Sequence, residues 1–336
     1  MAYMVGLDMG TTYTRIWTQD EGVVLRCPSA AAIDSETHKL VALGVKAKEM
    51  LGKTPQDILA YRPIREGLVS EFEVAARMLR SMFRNKQITS TFNRPVVLLA
   101  TPYRINQVQQ LAAENTVFEG GAKAVAQVPA IFAAAAAGAG LRVSSPRGSM
   151  ILNMGGGISE IAVISSGGII AAHSIKVAGE RLDSAVISYL KQRRNLIIGD
   201  ATAEDLRVSI GSCDKSIDRG SRKVYGRNAR TGLASCQEIY SAEICEAITP
   251  TLSAIMKGIA AVLEDVPPEI ASDVYDFGLM LSGGCAHMPG LSNAIHKATG
   301  LRVTMARNPR DCVINGLGRL IQHPELWGGA LEYRLK

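Results

Sequence analysis

The same short glycine-rich turn occurs twice in this chain of 336 residues, at residues 6–12 and again at residues 152–159. Each copy follows a short apolar segment and leads into another, which predicts two β-hairpins with glycine at the tip. Glycine lets backbone N–H groups approach an anion closely, and the hydroxyl groups beside it add donors. The repeated pattern therefore predicts two phosphate-binding loops.

The two copies differ in charge at one position, two residues before the first glycine of each tip, where the first copy has Asp8 and the second has Asn153. A carboxylate can order the water shell of Mg²⁺, whereas an amide brings no charge to that task. Asp8 could instead cap its turn, and Asn153 could merely continue a turn through a backbone hydrogen bond. The sequence thus predicts Mg²⁺ beside the first loop and leaves the role of Asn153 open.

A third glycine-rich turn, residues 282–285, follows the apolar segment 279–281. Open α/β sheets bind ligands beyond the carboxyl ends of their strands, so this turn predicts a nucleoside contact. Any one such turn is more often only a tight turn. Three of them at strand ends, two being copies, favour a nucleotide cleft between two related α/β halves.

Composition limits the class of protein. The chain is 47% hydrophobic and long enough for two domains with substantial cores. Its 5% aromatic content argues against a stacking surface for single strands, and no nucleic-acid partner is expected. The basic run at 218–230 is a solvated loop or hairpin, or a contact surface for acidic lipid or a partner. Six cysteines without a C-x-x-C pair fit a reducing cytoplasm.

Taken together, these residues resemble the MreB family of bacterial actins, within the superfamily of actin, sugar kinases and heat-shock-chaperone ATPases. The resemblance covers nearly the whole chain, and order and spacing agree. The matching stretches are residues 6–12, 62–72, 155–165, 178–183, 201–204, 226–228 and 282–284.

The resemblance implies an α/β fold of duplicated actin-like, ribonuclease H-like domains, with four subdomains around a nucleotide cleft. Domain I would comprise residues 1–146 and 316–336, with a small subdomain at about 33–74. Domain II would comprise residues 147–315, with a small subdomain at about 181–244. The cofactors implied are ATP and Mg²⁺.

The resemblance also implies roles for individual residues. Asp8 would order Mg²⁺ through water, and Glu160 would touch the water that attacks the γ-phosphate, unless it lies on a solvated strand face. Glu204 and Arg207 lie three apart on a predicted helix, so a surface ion pair is their alternative. The residues implied to contact ATP are Gly10, Thr11, Thr12, Asn153, Gly155, Gly156, Gly157, Gly179, Glu180, Glu204, Arg207, Gly283 and Gly284.

Two departures from the family pattern predict weak hydrolysis. Ile131 stands where the family has the Glu that positions the attacking water, and no Asp or Glu lies between Gly120 and Gly140. Gln127 is an amide nearby that could serve only if the helix start were shifted. At the second loop, Asn153 replaces Asp. Loss of one positioning group costs on the order of 10²–10³ in rate, by analogy with an oxyanion donor.

The function implied is that of a cytoskeletal protein whose paired protofilaments lie on the inner face of the cytoplasmic membrane. There they would organise cell-wall synthesis and cell shape, with other MreB paralogues and membrane proteins of the elongation complex as partners. Ile88 and Phe92, in the segment 88–94, are predicted membrane contacts, although single exposed apolar residues are common. The alternatives are a small-molecule kinase and a nucleotide-dependent scaffold that does not polymerise.

Overall fold

The computed structural model describes residues 3–85, 88, 94–138, 141–328 and 333–336. The strands are β1 (Met4–Met9), β2 (Tyr13–Thr18), β3 (Gly22–Pro28), β4 (Ala31–Asp34), β5 (Leu40–Leu43), β6 (Ile58–Tyr61), β7 (Ile64–Arg65), β8 (Leu68–Val69), β9 (Val96–Thr101), β10 (Ala124–Pro129), β11 (Ser149–Met154), β12 (Ser159–Ser165), β13 (Gly168–Ile175), β14 (Leu196–Ile197), β15 (Ser221–Asn228), β16 (Ala234–Tyr240), β17 (Leu279–Ser282), β18 (Val303–Met305) and β19 (Arg334–Leu335).

The helices pack on both sides of these strands. They are α1 (Val45–Met50), α2 (Phe72–Asn85), α3 (Gln107–Gly120), α4 (Ala130–Ala133), α5 (Gly179–Arg194), α6 (Asp200–Ile210), α7 (Ser241–Glu264), α8 (Pro268–Phe277), α9 (Leu291–Thr299) and α10 (Cys312–Gln322). A π-helical turn, Ala134–Gly138, continues α4, and single 3₁₀ turns lie at Gly284–His287, Pro309–Asp311 and Pro324–Leu326.

Two large sheets repeat one topology. The first has six strands in the order β19-β10-β9-β1-β2-β3, and the second has five in the order β13-β12-β11-β17-β18. In each, an antiparallel hairpin (β1–β2 or β11–β12) is extended on one side by a third antiparallel strand. Parallel strands extend the other side. The duplicated α/β architecture predicted from the repeated turn is confirmed.

Apolar strands explain why both sheets are interior layers. Every residue of β12 is buried, as are the last five residues of β9. Helices α4 and α7 pack on β12, and α3, α4 and α10 pack on β9. The alanine-rich segment α4 packs so closely against α10 that a Cβ at Gly316 would collide with the Ala133 carbonyl oxygen.

The first sheet lies within the residues predicted for domain I and the second within those for domain II. The limit at residue 316 falls inside α10, and the domain limits stay a prediction.

Smaller sheets lie beside the large ones. Strands β5-β4-β6 form a three-stranded sheet that α1 contacts, and β14-β15-β16 form another beside α5 and α6. The basic run at 218–230 is therefore mostly strand β15 and its flanking turns. Helix α7 has the length and mean hydropathy, 1.3, of a membrane-spanning helix. One face of it packs in the core of the second half, which accounts for that composition.

Candidate functional site

The first glycine-rich turn joins β1 to β2 and places Asp8 opposite Arg15. These two residues are cross-strand partners, and Arg15 Nη1 donates to Asp8 Oδ2 at 3.2 Å. The Gly10 N–H donates to the carbonyl oxygen of Tyr13 at 3.1 Å, which closes the turn. Thr11 is buried, and its Oγ1 accepts the N–H of Gly67 at 2.9 Å. The tip is thereby held both within its hairpin and by the β7–β8 segment.

The second turn is fixed by the start of α5. Within the turn, the Gly155 N–H donates to the Ile158 carbonyl oxygen at 3.0 Å. The N–H groups of Gly179 and Glu180 donate to the carbonyl oxygens of Gly155, at 3.2 Å, and Gly156, at 2.7 Å. Both residues that open α5 were predicted to contact ATP, and the structure brings them against the predicted phosphate-binding turn.

The tips of the two turns meet each other. A Cβ added at Gly156 would collide with Thr12 Oγ1. A Cβ at Gly157 would collide with Thr11 Oγ1 and lie 2.8 Å from the backbone nitrogen of Glu66. Only glycine permits this approach, so the tips of the two loops predicted from sequence lie directly against each other.

Asp8 lies in a cluster of four charged side chains. Arg15 Nε is 3.2 Å from Asp311 Oδ1, and Asp311 is in turn bound by Arg26 through Nε, at 3.0 Å, and Nη2, at 2.9 Å. Burial raises the pKa of Asp8; the nearby Arg15 guanidinium acts to lower it, and the charge of Asp311 acts to raise it. The positive charge of Arg15 therefore stabilises the ionised form of a poorly solvated carboxylate.

Glu160 is the cross-strand partner of Asn153 in the second hairpin. Its side chain is only 2% exposed, so the alternative of a solvated strand face is wrong. Burial raises the pKa of Glu160 to about 7, although the Tyr103 N–H donates to Oε1 at 2.8 Å, which favours the ionised form. Ser282 Oγ donates to Asn153 Oδ1 at 3.2 Å and orients that amide. Because it is buried, Glu160 titrates near neutral pH.

Ion pairs join the two halves on the side predicted to contact the nucleoside. Arg62, which follows β6, donates through Nη1 to Glu180 Oε1 at 2.8 Å. Lys48 Nζ, on α1, lies 2.8 Å from Glu204 Oε2. The small sheet of the first half is thereby tied to α5 and α6 of the second.

Arg207 does not pair with Glu204, so the alternative of an ion pair between these two residues is wrong. Instead, Arg207 binds Asp183 in a two-bonded geometry, at 2.6 Å from Nε to Oδ1 and 3.2 Å from Nη2 to Oδ2. A Cβ at Gly179 would lie 3.3 Å from Arg207 Nη2, which places this guanidinium beside the start of α5.

The third turn lies against the second. Gly283 has a φ of +89°, and a Cβ there would collide with the Met154 carbonyl oxygen. Cys285 Sγ donates to the Gly155 carbonyl oxygen at 3.2 Å. A Cβ at Gly284 would meet no atom within 4 Å, so this backbone faces open space. The three turns are therefore contiguous.

The structure shows where Ile131 and the nearby amide of Gln127 lie. Ile131 is fully buried in the core, where it packs with the alanine-rich segment. Gln127 lies in β10, and its Nε2 donates to Glu114 Oε1 at 2.7 Å and to the Gln110 carbonyl oxygen at 3.3 Å. Helix α4 begins at Ala130, after Gln127, so the shifted helix start that Gln127 would need is not found.

The predicted membrane contact needs correction. Ile88 is only 1% exposed and belongs to the buried core that also contains residues of β1, α2 and α3. It is therefore not available to lipid. Phe92 lies outside the described residues.

Sequence reasoning missed five residues that shape the site. Arg15 could have been found, because the register of the predicted hairpin places residue 15 opposite residue 8. Two of the others, Arg62 and Asp183, lie in stretches that carry the family resemblance, but the partners of all four lie on distant segments, so their contacts could not be predicted. The four are Lys48, Arg62, Tyr103 and Asp183.

Comparison with known proteins agrees with this architecture. A family model described as MreB/Mbl protein matches residues 2–327. The chain is 34% identical over 321 residues to the cell shape-determining protein Mbl of Bacillus cereus, covering 95% of this chain and 96% of that protein. It is 36% identical over 334 residues to the cell shape-determining protein MreB of Escherichia coli, covering 97% and 95%.

Solved structures show the same fold. MreB5 of Spiroplasma citri bound to ADP superposes with a TM-score of 0.91 at 32% identity, covering 97% of this chain and 98% of that one. The same protein bound to AMPPNP gives the same TM-score. The MamK double helical filament, at 16% identity and a TM-score of 0.78 over 95% and 98% of the two chains, shows the fold alone. The fold is actin-like, and the chain belongs to the MreB/Mbl family.

Proposed function

We propose that this chain is an ATP-binding bacterial actin that assembles into filaments and helps to determine cell shape, with slow nucleotide hydrolysis. One observation carries the proposal: two glycine-tipped hairpins, one from each large sheet, meet at Thr12 and Gly156. Relatives named cell shape-determining proteins, and an MreB5 structure that holds ADP or AMPPNP, support it.

The donors at the meeting point fit a phosphate chain. Gly10, Thr11 and Thr12 would contact phosphates from one side, and Gly155, Gly156 and Gly157 from the other. The close approach of the two tips supports this assignment, because the absence of a Cβ at Gly156 and Gly157 lets these backbones lie against Thr12 and Thr11. Asp8 suits Mg²⁺ held through water, and Mg²⁺ would neutralise phosphate charge there. Asn153, oriented by Ser282, would offer an uncharged amide.

The nucleoside would lie where α5, α6 and the third turn converge. Gly179, Glu180, Glu204 and Arg207 line this region, together with the turn at Gly283 and Gly284. Lys48 and Arg62 bridge Glu204 and Glu180 from the opposite half. We propose that these ion pairs hold the two halves together around the bound nucleotide.

Slow hydrolysis follows from the side chains near the phosphates. Position 131 supplies a buried isoleucine and no carboxylate. Glu160 remains to orient an attacking water, and its hydrogen bond from the Tyr103 N–H holds the carboxyl group in place. In-line attack depends on positioning and electrostatics, so a single buried carboxyl group supports slow turnover.

Filament assembly is the property that the family membership most directly supports. We propose paired protofilaments, located in the cytoplasm on the inner face of the cytoplasmic membrane, with MreB paralogues and elongation-complex membrane proteins as further partners. Ile88 does not supply the membrane contact, since it is buried. The kinase alternative and the non-polymerising scaffold are not favoured.

The test is a paired assay on the purified full chain with Mg-ATP. Filaments are followed by sedimentation and negative-stain imaging, and phosphate release is followed in the same tube. Nucleotide-dependent filaments with slow release are expected. Brisk release that Glu160→Gln leaves unchanged would contradict the assignment of Glu160. Nucleotide binding without filaments, in solution or on lipid vesicles, would contradict the cytoskeletal proposal and favour the scaffold.

A further inference from the structure

The charges around Asp8 bear on how much this site needs a divalent metal. We propose that Arg15 is a resident counter-cation of Asp8 that lets the chain bind ATP with little dependence on Mg²⁺. This inference rests on the proposed nucleotide site and specifies how that site balances charge.

The contact between Asp8 and Arg15 is built into the hairpin. The residues are cross-strand partners one step from the turn, and their side chains share one face of the sheet. Arg15 Nη1 lies 3.2 Å from Asp8 Oδ2, with the two side chains 15% and 14% exposed. In this poorly solvated position the pair interacts more strongly than it would in water. Without Arg15, the Asp8 carboxylate would repel phosphate groups at the adjacent tip.

Asp311 and Arg26 hold Arg15 in place. The Arg15 Nε is buried, lies 3.2 Å from Asp311 Oδ1 and has no aligned hydrogen-bond acceptor. Asp311 is itself fixed by two contacts from Arg26. The four charges sum to zero, so Arg15 cannot turn away without leaving carboxylates unbalanced. The arginine is therefore a permanent part of the loop.

The facing hairpin adds little negative charge. Its counterpart of Asp8 is Asn153, an uncharged amide, and its counterpart of Arg15 is the buried Glu160. Mg²⁺ is attracted chiefly by carboxylate oxygens. Here one carboxylate is already paired with a guanidinium, and the metal would have to compete with it. The side chains of the two hairpins therefore repel the phosphates of a nucleotide only weakly and also attract a divalent metal only weakly.

The experiment measures the Kd for ATP, by competition with a fluorescent ATP analogue, in MgCl₂ and in EDTA. For the wild-type chain the two values are expected to agree within about threefold. Arg15→Leu should bind ATP at least about tenfold more weakly in EDTA than in MgCl₂, because Asp8 is then left without a counter-cation beside the phosphates. Arg77→Leu is the matched control, since the exposed Arg77 on α2 pairs with Glu73 one helical turn away and does not belong to the cluster around Asp8, and it should behave as wild type.

A wild-type chain that loses tenfold or more in EDTA would overturn the inference, and this comparison needs no variant to fold. Equal loss in Arg15→Leu and Arg77→Leu would also overturn it, since the effect would then not come from the pair that Arg15 forms with Asp8. If Arg15→Leu does not fold, Arg15→Lys replaces it as the test. Because this variant keeps the positive charge, its Kd for ATP in EDTA must stay close to that of the wild-type chain. Absence of ATP binding in both buffers would instead reject the nucleotide site itself.

Discussion

The two hairpins that form the site share a backbone but differ in electrostatics. In the first, Asp8 faces Arg15 across the strands and is balanced by it. In the second, the same two positions hold Asn153 and Glu160, an amide and a carboxyl group whose pKa is raised to about 7. Glycine tips, register and neighbouring parallel strands are otherwise repeated.

This difference separates two tasks within one duplicated unit. The first hairpin carries a balanced charge pair beside the predicted phosphate contacts, and the second carries a group that can exchange a proton near neutral pH. Backbone conformation is copied because glycine and strand pairing dictate it. Side-chain chemistry diverges because each position can change without altering the turn.

The largest expected effect comes from position 131, which lies in α4, outside both hairpins. Ile131→Glu would place a carboxylate at a fully buried position in the apolar core, and should lower the free energy of unfolding by about 4 kcal/mol or more. Thermal unfolding would measure this. The control Ile131→Val should cost about 0.5–1.5 kcal/mol. A stable Ile131→Glu chain would contradict the predicted loss of stability, and fast phosphate release from it would show that position 131 limits turnover more than the contrast between the hairpins does.

The next effect tests the contact between the two tips. Gly156→Ala would drive a Cβ into Thr12 Oγ1, so the loops must separate, and ATP affinity should fall by about 10- to 100-fold. Equilibrium titration with a fluorescent ATP analogue would detect this. Gly199→Ala is the control, because a Cβ there meets no atom within 4 Å. Equal affinities for both variants would mean that the tips do not approach each other in the bound state.

Glu160→Gln tests the titrating member of the second hairpin through stability. The native pKa of Glu160, about 7, lies above its ordinary value of 4.5, so the native state binds more protons than the unfolded state between these pH values. Wild-type stability should therefore fall as pH rises from about 4.5 to about 7 and stay lower above that range. The glutamine variant avoids this cost and should gain about 2 kcal/mol at pH 8 and much less at pH 5.

Phosphate release gives a second readout for the same variant. Wild-type release should rise as the pH passes about 7, where Glu160 ionises, and Glu160→Gln should be flat and about tenfold slower at pH 8. The exposed Glu269→Gln serves as the control and should keep the wild-type profile. A pH profile shared by all three chains would argue that Glu160 takes no part in hydrolysis.

The smallest effect comes from making the second hairpin resemble the first. Asn153→Asp would add a negative charge directly opposite Glu160, and like charges on cross-strand partners disfavour ionisation. The midpoint of the pH profile for phosphate release should move upward by about one unit. Asn106→Asp, at the start of α3, is a conservative control because both residues cap helices well. A downward shift would imply that a bound cation, not the carboxyl pair, dominates the charge at this position.

Local sequence patterns were enough to predict the two hairpins, their glycine tips and the duplicated architecture. Gly156 and Gly157 lie where no Cβ fits, as expected from a turn whose backbone is closely approached. The same reasoning failed for Ile88, because its burial depends on packing against β1, α2 and α3. An apolar residue near basic ones has the same sequence signature whether it faces lipid or the core.

The sequence by itself determined the turns, the strand pairing around them and the chemical groups that they carry, including the absence of a carboxylate at residues 120–140. Tertiary structure alone decided which of those groups are paired and which are ionised. Lys48 and Glu204 are separated by 156 residues, and Arg62 and Glu180 by 118. Glu160 titrates near neutral pH only because the folded chain buries it. Turn conformation is a local property, whereas the charge of a side chain depends on solvent and on neighbours that folding brings together.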